Sequence, residues 1–317
     1  MSGPIIGLAL GGGGARGAAH VGALQVLHNN QIPIHQIAGT SIGSVVGAMY
    51  AATLDPQWIE NRFKEFIDSE EFRALGIKHL IDRPSSSSSA FNQIVKKVKD
   101  QIVLAMSLHQ NSFIKKRRLK DAFKFLIPVA SFDELQIPLK IIATDLNACE
   151  HVVYETGDLV EAATRSGSIP GFVEPTEIDH QLIVDGGASM SLPTTIIRKE
   201  VDILIGIDIR RKGMKPLRET NIYEIVMRSY MITYQNLIEN CTKAADVLIS
   251  PEVEDYQWSE FGKLDYFFNQ GFTACENALS LIRQEINHKS SLKYLSLIHI
   301  SEPTSPRLIS YAVFCLK

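Results

Sequence analysis

The feature that most constrains this chain is a glycine-rich loop between a short apolar run and a periodic apolar stretch. Residues 5–10 are apolar apart from one glycine, and four consecutive glycines follow them at 11–14. A short apolar run that ends at glycines is typical of a buried strand. Apolar residues recur at helical spacing over 18–27, which predicts a helix. Free amides and the helix dipole favour negative charge at such a junction, so the loop is suited to hold a phosphate or an oxyanion.

The same loop contains glycines at the spacing of the dinucleotide-binding fingerprint, namely Gly12, Gly14 and Gly17. In that class of protein an acidic residue about 20 positions further on binds the ribose. Here no Asp or Glu occurs before Asp55. The missing acid disfavours a nucleotide site, and a purely structural glycine turn stays open as an alternative to an anion site.

A serine motif follows a second predicted strand, over residues 34–38, and precedes a predicted buried helix over 42–52. This strand-turn-helix context is the one that a nucleophile elbow requires. Flanking glycines let the backbone turn sharply, and the helix N-terminus favours negative charge that develops at the hydroxyl. A serine that merely caps the helix is the alternative. We favour the nucleophile, and the motif reads Gly39-Thr40-Ser41-Ile42-Gly43.

An acidic residue that could serve Ser41 comes much later, where the predicted strand 182–184 runs into Asp185 and two glycines. Open α/β sheets bind their ligands beyond the carboxyl ends of strands, although an Asp-Gly turn would look the same. The only histidines after residue 180 are His288 and His299, in the C-terminal segment. A Ser-Asp-His triad is therefore poorly supported. We expect His20 to pack on the helix after the glycine loop rather than take part in chemistry.

Composition excludes several classes of function. The chain has 317 residues, 45% hydrophobic and 21% charged, and a net charge of -3, which suits an α/β fold and gives no sign of nucleic-acid binding. Four widely spaced cysteines predict reduced thiols in a cytosolic protein. The pattern holds no metal-ligand cluster, no membrane-length apolar run and no signal peptide, so we expect no metal and a cytoplasmic location.

The middle of the chain changes character at five consecutive serines, Ser85 to Ser89, which predict a flexible break. Between Phe91 and Met106 apolar residues recur at helical spacing, and a basic run follows at 115–120. We expect a helical cap-like insertion over about 84–130. A surface helix with solvated lysines is the favoured interpretation, and a lid or membrane-contact surface over 91–120 is the alternative.

Three motifs in one order resemble the patatin-like phospholipase family, in particular its small bacterial and NTE-type members. They are the glycine loop 12–17, the serine motif 39–43 and the motif 185–187. The stretches 143–146 and 168–170 also look like that family. The resemblance covers about residues 5–290. Gly167 is a departure, because the family often has alanine there; we expect this to alter loop flexibility more than chemistry.

The resemblance implies a three-layer α/β fold with a central, mostly parallel sheet flanked by helices. It also implies a Ser-Asp dyad without histidine and without a cofactor. Ser41 would be the nucleophile and Asp185 the general base, with backbone amides of the glycine loop as the oxyanion hole. That hole would comprise Gly12, Gly13 and Gly14, with Arg16 fixing the loop, while the motifs are supported by Gly17, Gly39, Gly43, Gly186 and Gly187.

The implied reaction is hydrolysis of phospholipid or lysophospholipid esters through an acyl-enzyme. We expect a cytoplasmic protein, and peripheral contact with the membrane is the open alternative to a purely solvated surface. The alternative is a catalytically silent patatin-fold protein with a regulatory or membrane-association role. The sequence does not determine the oligomeric state.

The last stretch differs from everything before it. Residues 296–304 and 309–317 show no helical period. They resemble a tail produced when adapter or vector DNA is translated onto a truncated reading frame. We therefore expect residues 294–317 to be non-native or disordered.

Overall fold

The computed structural model describes residues 3–76, 114–210, 216–217, 222–253, 256 and 258–301. The strands within these ranges are β1 (Ile6–Leu10), β2 (Gln36–Thr40), β3 (Leu139–Asp145), β4 (Glu150–Tyr154), β5 (Thr176–Ile178), β6 (Gln181–Asp185), β7 (Ile203–Ile207) and β8 (Val247–Ile249). The helices are α1 (Ala18–Asn29), α2 (Ile42–Thr53), α3 (Pro56–Asp68), α4 (Glu70–Ala74), α5 (Lys116–Leu126), α6 (Leu159–Ser166), α7 (Thr194–Ile197), α8 (Ile222–Thr242) and α9 (Leu264–Ser301).

The strands form one mixed sheet in the order β5-β6-β3-β2-β1-β7-β8, and β4 pairs with β3. Five adjacent strands, β3-β2-β1-β7-β8, are parallel. The remaining three join antiparallel, β4 and β6 against β3 and β5 against β6. The sheet is thus mostly parallel, as the sequence predicts, with an antiparallel group at the β3 side.

In strands β1 and β2 the two faces of the sheet carry side chains of different size. Leu8 and Ile37 point into the larger core cluster, which α1, α2 and α9 complete. The alternate positions Ala9 and Ala38 are small and pack in a second cluster against Ile197 of α7. This alternation is the period of a strand that is buried on both sides. Helices therefore cover both faces, which gives the three-layer α/β architecture.

Strands β2 and β6 meet end to end along one edge of β3. Thr40 of β2 pairs with Ile142, and Asp185 of β6 pairs with the next residue, Ala143. Strand β4 pairs with both Ile142 and Ala143, so it occupies the opposite edge. Because β2 is parallel to β3 and β6 is antiparallel, their carboxyl ends point toward each other. The register of the sheet thus brings the residue after Thr40 next to Asp185.

The predicted insertion is described only in part. Helix α5 buries Leu119, Phe123 and Leu126 in the main core, so this portion packs with the domain. Most of the predicted basic run is paired with acids, in the bridges Lys115–Glu174, Lys116–Glu161, Lys120–Glu161 and Arg117–Asp121. Residues 84–113, with Phe91 and Met106, lie outside the described residues. The cap and its boundaries therefore stay a prediction.

Helix α9 continues beyond residue 294 to Ser301, where the sequence predicted no helix. Extending a helix needs no new nucleus, so weakly periodic residues can continue one that is already formed. Residues 302–317 lie outside the described part of the chain. The non-native origin of the tail stays a prediction.

Candidate active site

Ser41 occupies a strained turn between β2 and α2. Its φ is 54° and its ψ is −125°, a left-handed φ that is uncommon for a residue with a side chain. Such strain persists only where the surroundings enforce it, and it is concentrated at functional sites. Here the amide of Ser41 donates to Ser166 Oγ at 2.8 Å, and that hydroxyl donates to the Ile142 carbonyl at 2.5 Å.

The glycines on either side of Ser41 allow helix α2 to contact the strands at backbone distance. A Cβ built on Gly39 would lie 2.5 Å from the carbonyl oxygen of Gly43, and one on Gly43 would overlap the Leu10 carbonyl. A Cβ on Gly17 would likewise overlap the side chain of Ile42. The elbow therefore leaves no room for an added methyl group at these positions.

Asp185 ends strand β6 with its carboxyl group buried beside Ser41. The exposed fractions are 6% for Asp185 and 8% for Ser41, so water has little access to the pair. Oδ1 of Asp185 accepts from the Gly187 amide at 2.6 Å, and Oδ2 has no hydrogen-bond partner among the described residues. The Ser41 hydroxyl lies close enough to the carboxyl group to favour its charged form, but it makes no hydrogen bond of good geometry to Oδ2.

Burial dominates the titration of this acid. It raises the pKa of Asp185 from 3.8 to about 6, against smaller lowering by the Ser41 hydroxyl and the Gly187 amide. The two glycines of the motif keep the space around the carboxyl group tight. A Cβ on Gly187 would lie 2.9 Å from Asp185 Oδ1, and one on Gly186 would overlap the Ile142 carbonyl.

Backbone hydrogen bonds fix most of the glycine loop. The Gly11 amide donates to the Ile207 carbonyl at 3.1 Å, and the Gly12 amide donates to the Ser191 carbonyl at 3.0 Å. The amides of Gly13 and Gly14 have no partner within the described ranges. The expected donor role of Gly12 therefore needs correction, because its amide is already engaged. Gly12 instead permits close approach, since a Cβ there would lie 3.3 Å from Ser41 Cβ.

Arg16 and Trp258 hold the far end of the loop. Arg16 donates from Nε to the Gly13 carbonyl at 3.1 Å. The Ala15 amide donates to the Trp258 carbonyl at 2.7 Å, and that carbonyl lies where a Cβ of Gly14 would be. Gly14 has a φ of +59°, which glycine adopts without strain.

Several hydrogen bonds that the sequence did not predict hold the site together. Thr40 Oγ1 donates to the Met190 carbonyl at 2.9 Å, and Tyr234 donates from its hydroxyl to Ser191 Oγ at 2.7 Å. Ser166 Oγ accepts the hydrogen bond from the Ser41 amide, as described above. Serine and tyrosine hydroxyls at these places follow no local pattern, so only their position in the fold identifies them. Ser166 is the exception in part, because it adjoins the family-like stretch 168–170.

His20 is completely buried at the start of α1, and its Nε2 lies 2.8 Å from the Gly11 carbonyl oxygen. Burial lowers its pKa to about 4, despite the opposing effect of that hydrogen bond. The ring is thus neutral near pH 7 and is bound to the backbone of the glycine loop.

Among the described residues, no group of three His, Cys, Asp or Glu side chains is placed to hold a metal ion. None of the described helices is both long and apolar enough to cross a bilayer.

The fold and the site together define an α/β protein in which a serine on a strained strand-to-helix turn lies beside a buried carboxyl group and a glycine-rich loop. The family model for patatin-like phospholipases matches residues 8–197. The chain belongs to the patatin-like phospholipase family.

Curated relatives extend the match. An uncharacterized NTE family protein of Mycobacterium tuberculosis is 31% identical over 220 residues, which is 69% of this chain and 52% of that protein. The chain thus spans about half the length of the mycobacterial relatives it matches. Human patatin-like phospholipase domain-containing protein 6 is 25% identical over 307 residues, covering 86% of this chain and 20% of that protein.

Two solved structures align with most of the chain. VipD from Legionella pneumophila has a TM-score of 0.44 and 14% identity, covering 90% of this chain and 67% of that one. Human GIVD cytosolic phospholipase A2 has a TM-score of 0.41 and 13% identity, covering 90% of this chain and 59% of the other.

Proposed function

We propose that this protein is a serine acyl hydrolase that cleaves carboxylic esters of phospholipids or lysophospholipids through a Ser41–Asp185 dyad. The observation that carries the proposal is the meeting of a strained elbow serine and a buried carboxyl group at the facing ends of β2 and β6. Membership of the patatin-like phospholipase family supports a lipid ester as the substrate. We also propose that the domain spans about residues 5–290 and works at a membrane surface from the cytoplasm.

In the first step, Ser41 Oγ attacks the ester carbonyl carbon while Asp185 accepts the hydroxyl proton. Oδ2 is the oxygen available for that proton, because Oδ1 is bound by Gly187. A pKa of about 6 makes Asp185 a stronger base than an exposed carboxylate, yet leaves it ionised at pH 7. The electron pair of the carbonyl bond moves onto oxygen, and a tetrahedral oxyanion forms.

The oxyanion is stabilised by the amides of Gly13 and Gly14, the two loop amides without another partner among the described residues. Loss of one such donor typically costs about 3–4 kcal/mol in the transition state. When the intermediate collapses, the bond to the alcohol breaks and Asp185 returns its proton to the leaving oxygen. Water then attacks the acyl-Ser41 ester with Asp185 again as the base, which releases the fatty acid and regenerates the serine.

Hydrolysis assays on a short p-nitrophenyl ester and on a mixed-chain phospholipid test this proposal. We expect Ser41→Ala and Asp185→Asn each to lose activity by about 10³-fold or more. Ser69→Ala and Asp55→Asn are matched controls, because they alter the N-caps of α4 and α3, respectively, and should retain activity. Thermal unfolding of all variants checks that the fold is intact.

Activity that survives Ser41→Ala would contradict the proposal, since the elbow would then be structural. Absence of activity in the wild type on both substrates, with the fold intact and vesicles present, would favour a catalytically silent protein instead.

A further inference from the structure

The peptide group that joins Gly11 to Gly12 is held at both ends. Its carbonyl oxygen lies 2.8 Å from Nε2 of His20, and its N–H group donates to the Ser191 carbonyl at 3.0 Å. The two partners come from distant parts of the chain, one from α1 and one from the loop after β6. With both polar atoms bound, this peptide plane has a single orientation.

That orientation matters for the residues that follow. Gly13 and Gly14 have no side chains to restrict their dihedral angles, so their amides depend on the backbone on either side for their direction. The Trp258 carbonyl and Arg16 fix the loop from the C-terminal side. The Gly11–Gly12 peptide fixes it from the N-terminal side. Removing one of these restraints would let the two unpartnered amides rotate.

The chemistry of His20 fits a donor to this peptide. A carbonyl oxygen can only accept, so Nε2 carries the proton. The neutral ring then has a bare Nδ1, which has no partner among the described residues even though the side chain is 0% exposed. A buried nitrogen without a partner lowers stability, and the apolar surroundings of α1 would suit an aliphatic side chain better. The single hydrogen bond to the glycine loop accounts for a histidine at this place.

We propose that His20 is a positioning residue for ester hydrolysis, whose Nε2–H fixes the Gly11–Gly12 peptide and thereby aims the Gly13 and Gly14 amides at the oxyanion. His20 transfers no proton in this account. The inference rests on the function proposed above, because it assigns the restraint to the oxyanion hole of that reaction.

Three substitutions separate positioning from packing. The amide nitrogen of glutamine reaches the place of Nε2, whereas that of asparagine reaches only the place of Nδ1, and leucine supplies no donor. We expect His20→Gln to keep kcat within about threefold of wild type. We expect His20→Asn and His20→Leu to lose kcat by about 10²-fold, the loss typical of a misplaced oxyanion donor, with KM within about threefold.

The assay uses the full chain, a short p-nitrophenyl ester, and a fluorophosphonate probe whose rate of reaction with the serine needs the same oxyanion donors. Thermal unfolding is measured for each variant, and if His20→Leu does not fold, the comparison of Gln with Asn decides. An imidazole 15N spectrum adds a readout that is independent of turnover. It should show Nε2 protonated and Nδ1 bare from pH 5 to pH 8.

The inference is overturned if His20→Asn and His20→Leu keep kcat within threefold of wild type. It is also overturned if kcat of His20→Gln is no higher than that of His20→Asn, or if Nδ1 of His20 is the protonated nitrogen. Ser41→Ala in the same assay separates the two proposals. Activity that survives Ser41→Ala defeats the proposed function itself. Loss of activity in Ser41→Ala, together with full activity in every His20 variant, defeats only the role of His20.

Discussion

Ser41 and Asp185 stand at the facing ends of two strands, but the regions around them are held by different interactions. The Ser41 side is built by close backbone packing of glycines among β1, β2 and α2. Hydrogen bonds from hydroxyl groups and from the backbone hold the Asp185 side. Thr144 Oγ1 donates to the Asp185 carbonyl at 3.0 Å and accepts from Ser189 at 2.7 Å, while the Asp185 amide donates to the Ser168 carbonyl at 2.9 Å.

This difference determines what each side can tolerate. Around Ser41 an added atom meets backbone that cannot move, so volume is the limiting factor. Around Asp185 the backbone is also tightly packed at Gly186, but the buried carboxyl group adds a second limiting factor, its protonation, because a buried charge lowers stability. Substitutions that add volume should therefore act at every pH, and replacement of Asp185 should act in a pH-dependent way.

The largest effect is expected for Gly43→Ala, because the new Cβ would overlap the Leu10 carbonyl. We expect a loss on the order of 4 kcal/mol in the free energy of unfolding, at all pH values from 5 to 8. Urea denaturation measures it. Gly262→Ala is the control, since a Cβ there meets nothing within 4 Å and should change stability by less than about 0.5 kcal/mol. Equal stability of the two variants would refute tight packing at the elbow.

Asp185→Asn tests the acid side, and here the expected sign is stabilising. Between pH 3.8 and about 6 the folded protein binds the Asp185 proton more tightly than the unfolded chain does, so wild-type stability falls as the pH rises through this window. The shift corresponds to about 3 kcal/mol at pH 7. We expect the stability of the Asn variant relative to wild type to rise by up to that amount between pH 3.5 and pH 7.5. If the difference in stability between Asp185→Asn and wild type did not change with pH, the pKa of Asp185 would not be raised by burial in the folded protein.

The raised pKa of Asp185 also predicts how kcat/KM falls at low pH. Because the base must be ionised, kcat/KM should rise tenfold per pH unit below about pH 6 and level off above it. A profile that is flat from pH 5 to pH 8 would contradict Asp185 as the general base. Stopped assays on a short ester over this range measure it.

Ser166→Ala lies between the two regions, since the hydroxyl links the Ser41 amide to the Ile142 carbonyl. The Ser41 amide would be left without this partner in a buried place, which typically costs about 1–3 kcal/mol. We expect that loss together with a lower kcat at unchanged KM. Thr164→Val is the control on the same helix, because its hydroxyl donates only to Val160 within α6. Full activity of Ser166→Ala would mean that the elbow holds its strained turn unaided.

The smallest effect is expected for Gly167→Ala. A Cβ there would lie 2.8 and 2.9 Å from the ring atoms of Phe123, so the ring must shift. We expect a loss of about 1 kcal/mol, partly offset by the lower entropy of the unfolded chain. In a double-mutant cycle, Phe123→Leu should relieve most of the added cost. Strict additivity of the two substitutions would contradict the contact.

The serine side could be predicted from the sequence because its determinants are local. Strand β1, the glycine loop, β2, the elbow and α2 follow one another within the first 53 residues, and each has a recognisable pattern. The helix and strand types came out as expected there. The Gly12 amide did not, because its partner, the Ser191 carbonyl, is far away in sequence.

The acid side depends on pairing that no local pattern contains. Strands β4 and β6 pair antiparallel with β3, and β5 is a three-residue strand that the sequence did not suggest. The motif 185–187 marked Asp185, but the shared edge of β3 is what brings it beside Ser41. The hydrogen bonds of Ser166 to the Ser41 amide and of His20 to the Gly11 carbonyl form only once the chain is folded.

The central claim, that Ser41 is a nucleophile activated by Asp185, is tested most directly by labelling the folded protein with a fluorophosphonate and mapping the adduct by mass spectrometry. We predict one adduct, on Ser41, that forms slowly in Asp185→Asn and not at all after unfolding. An adduct on another serine, or labelling of Ser41 at the same rate in Asp185→Asn, would contradict the dyad.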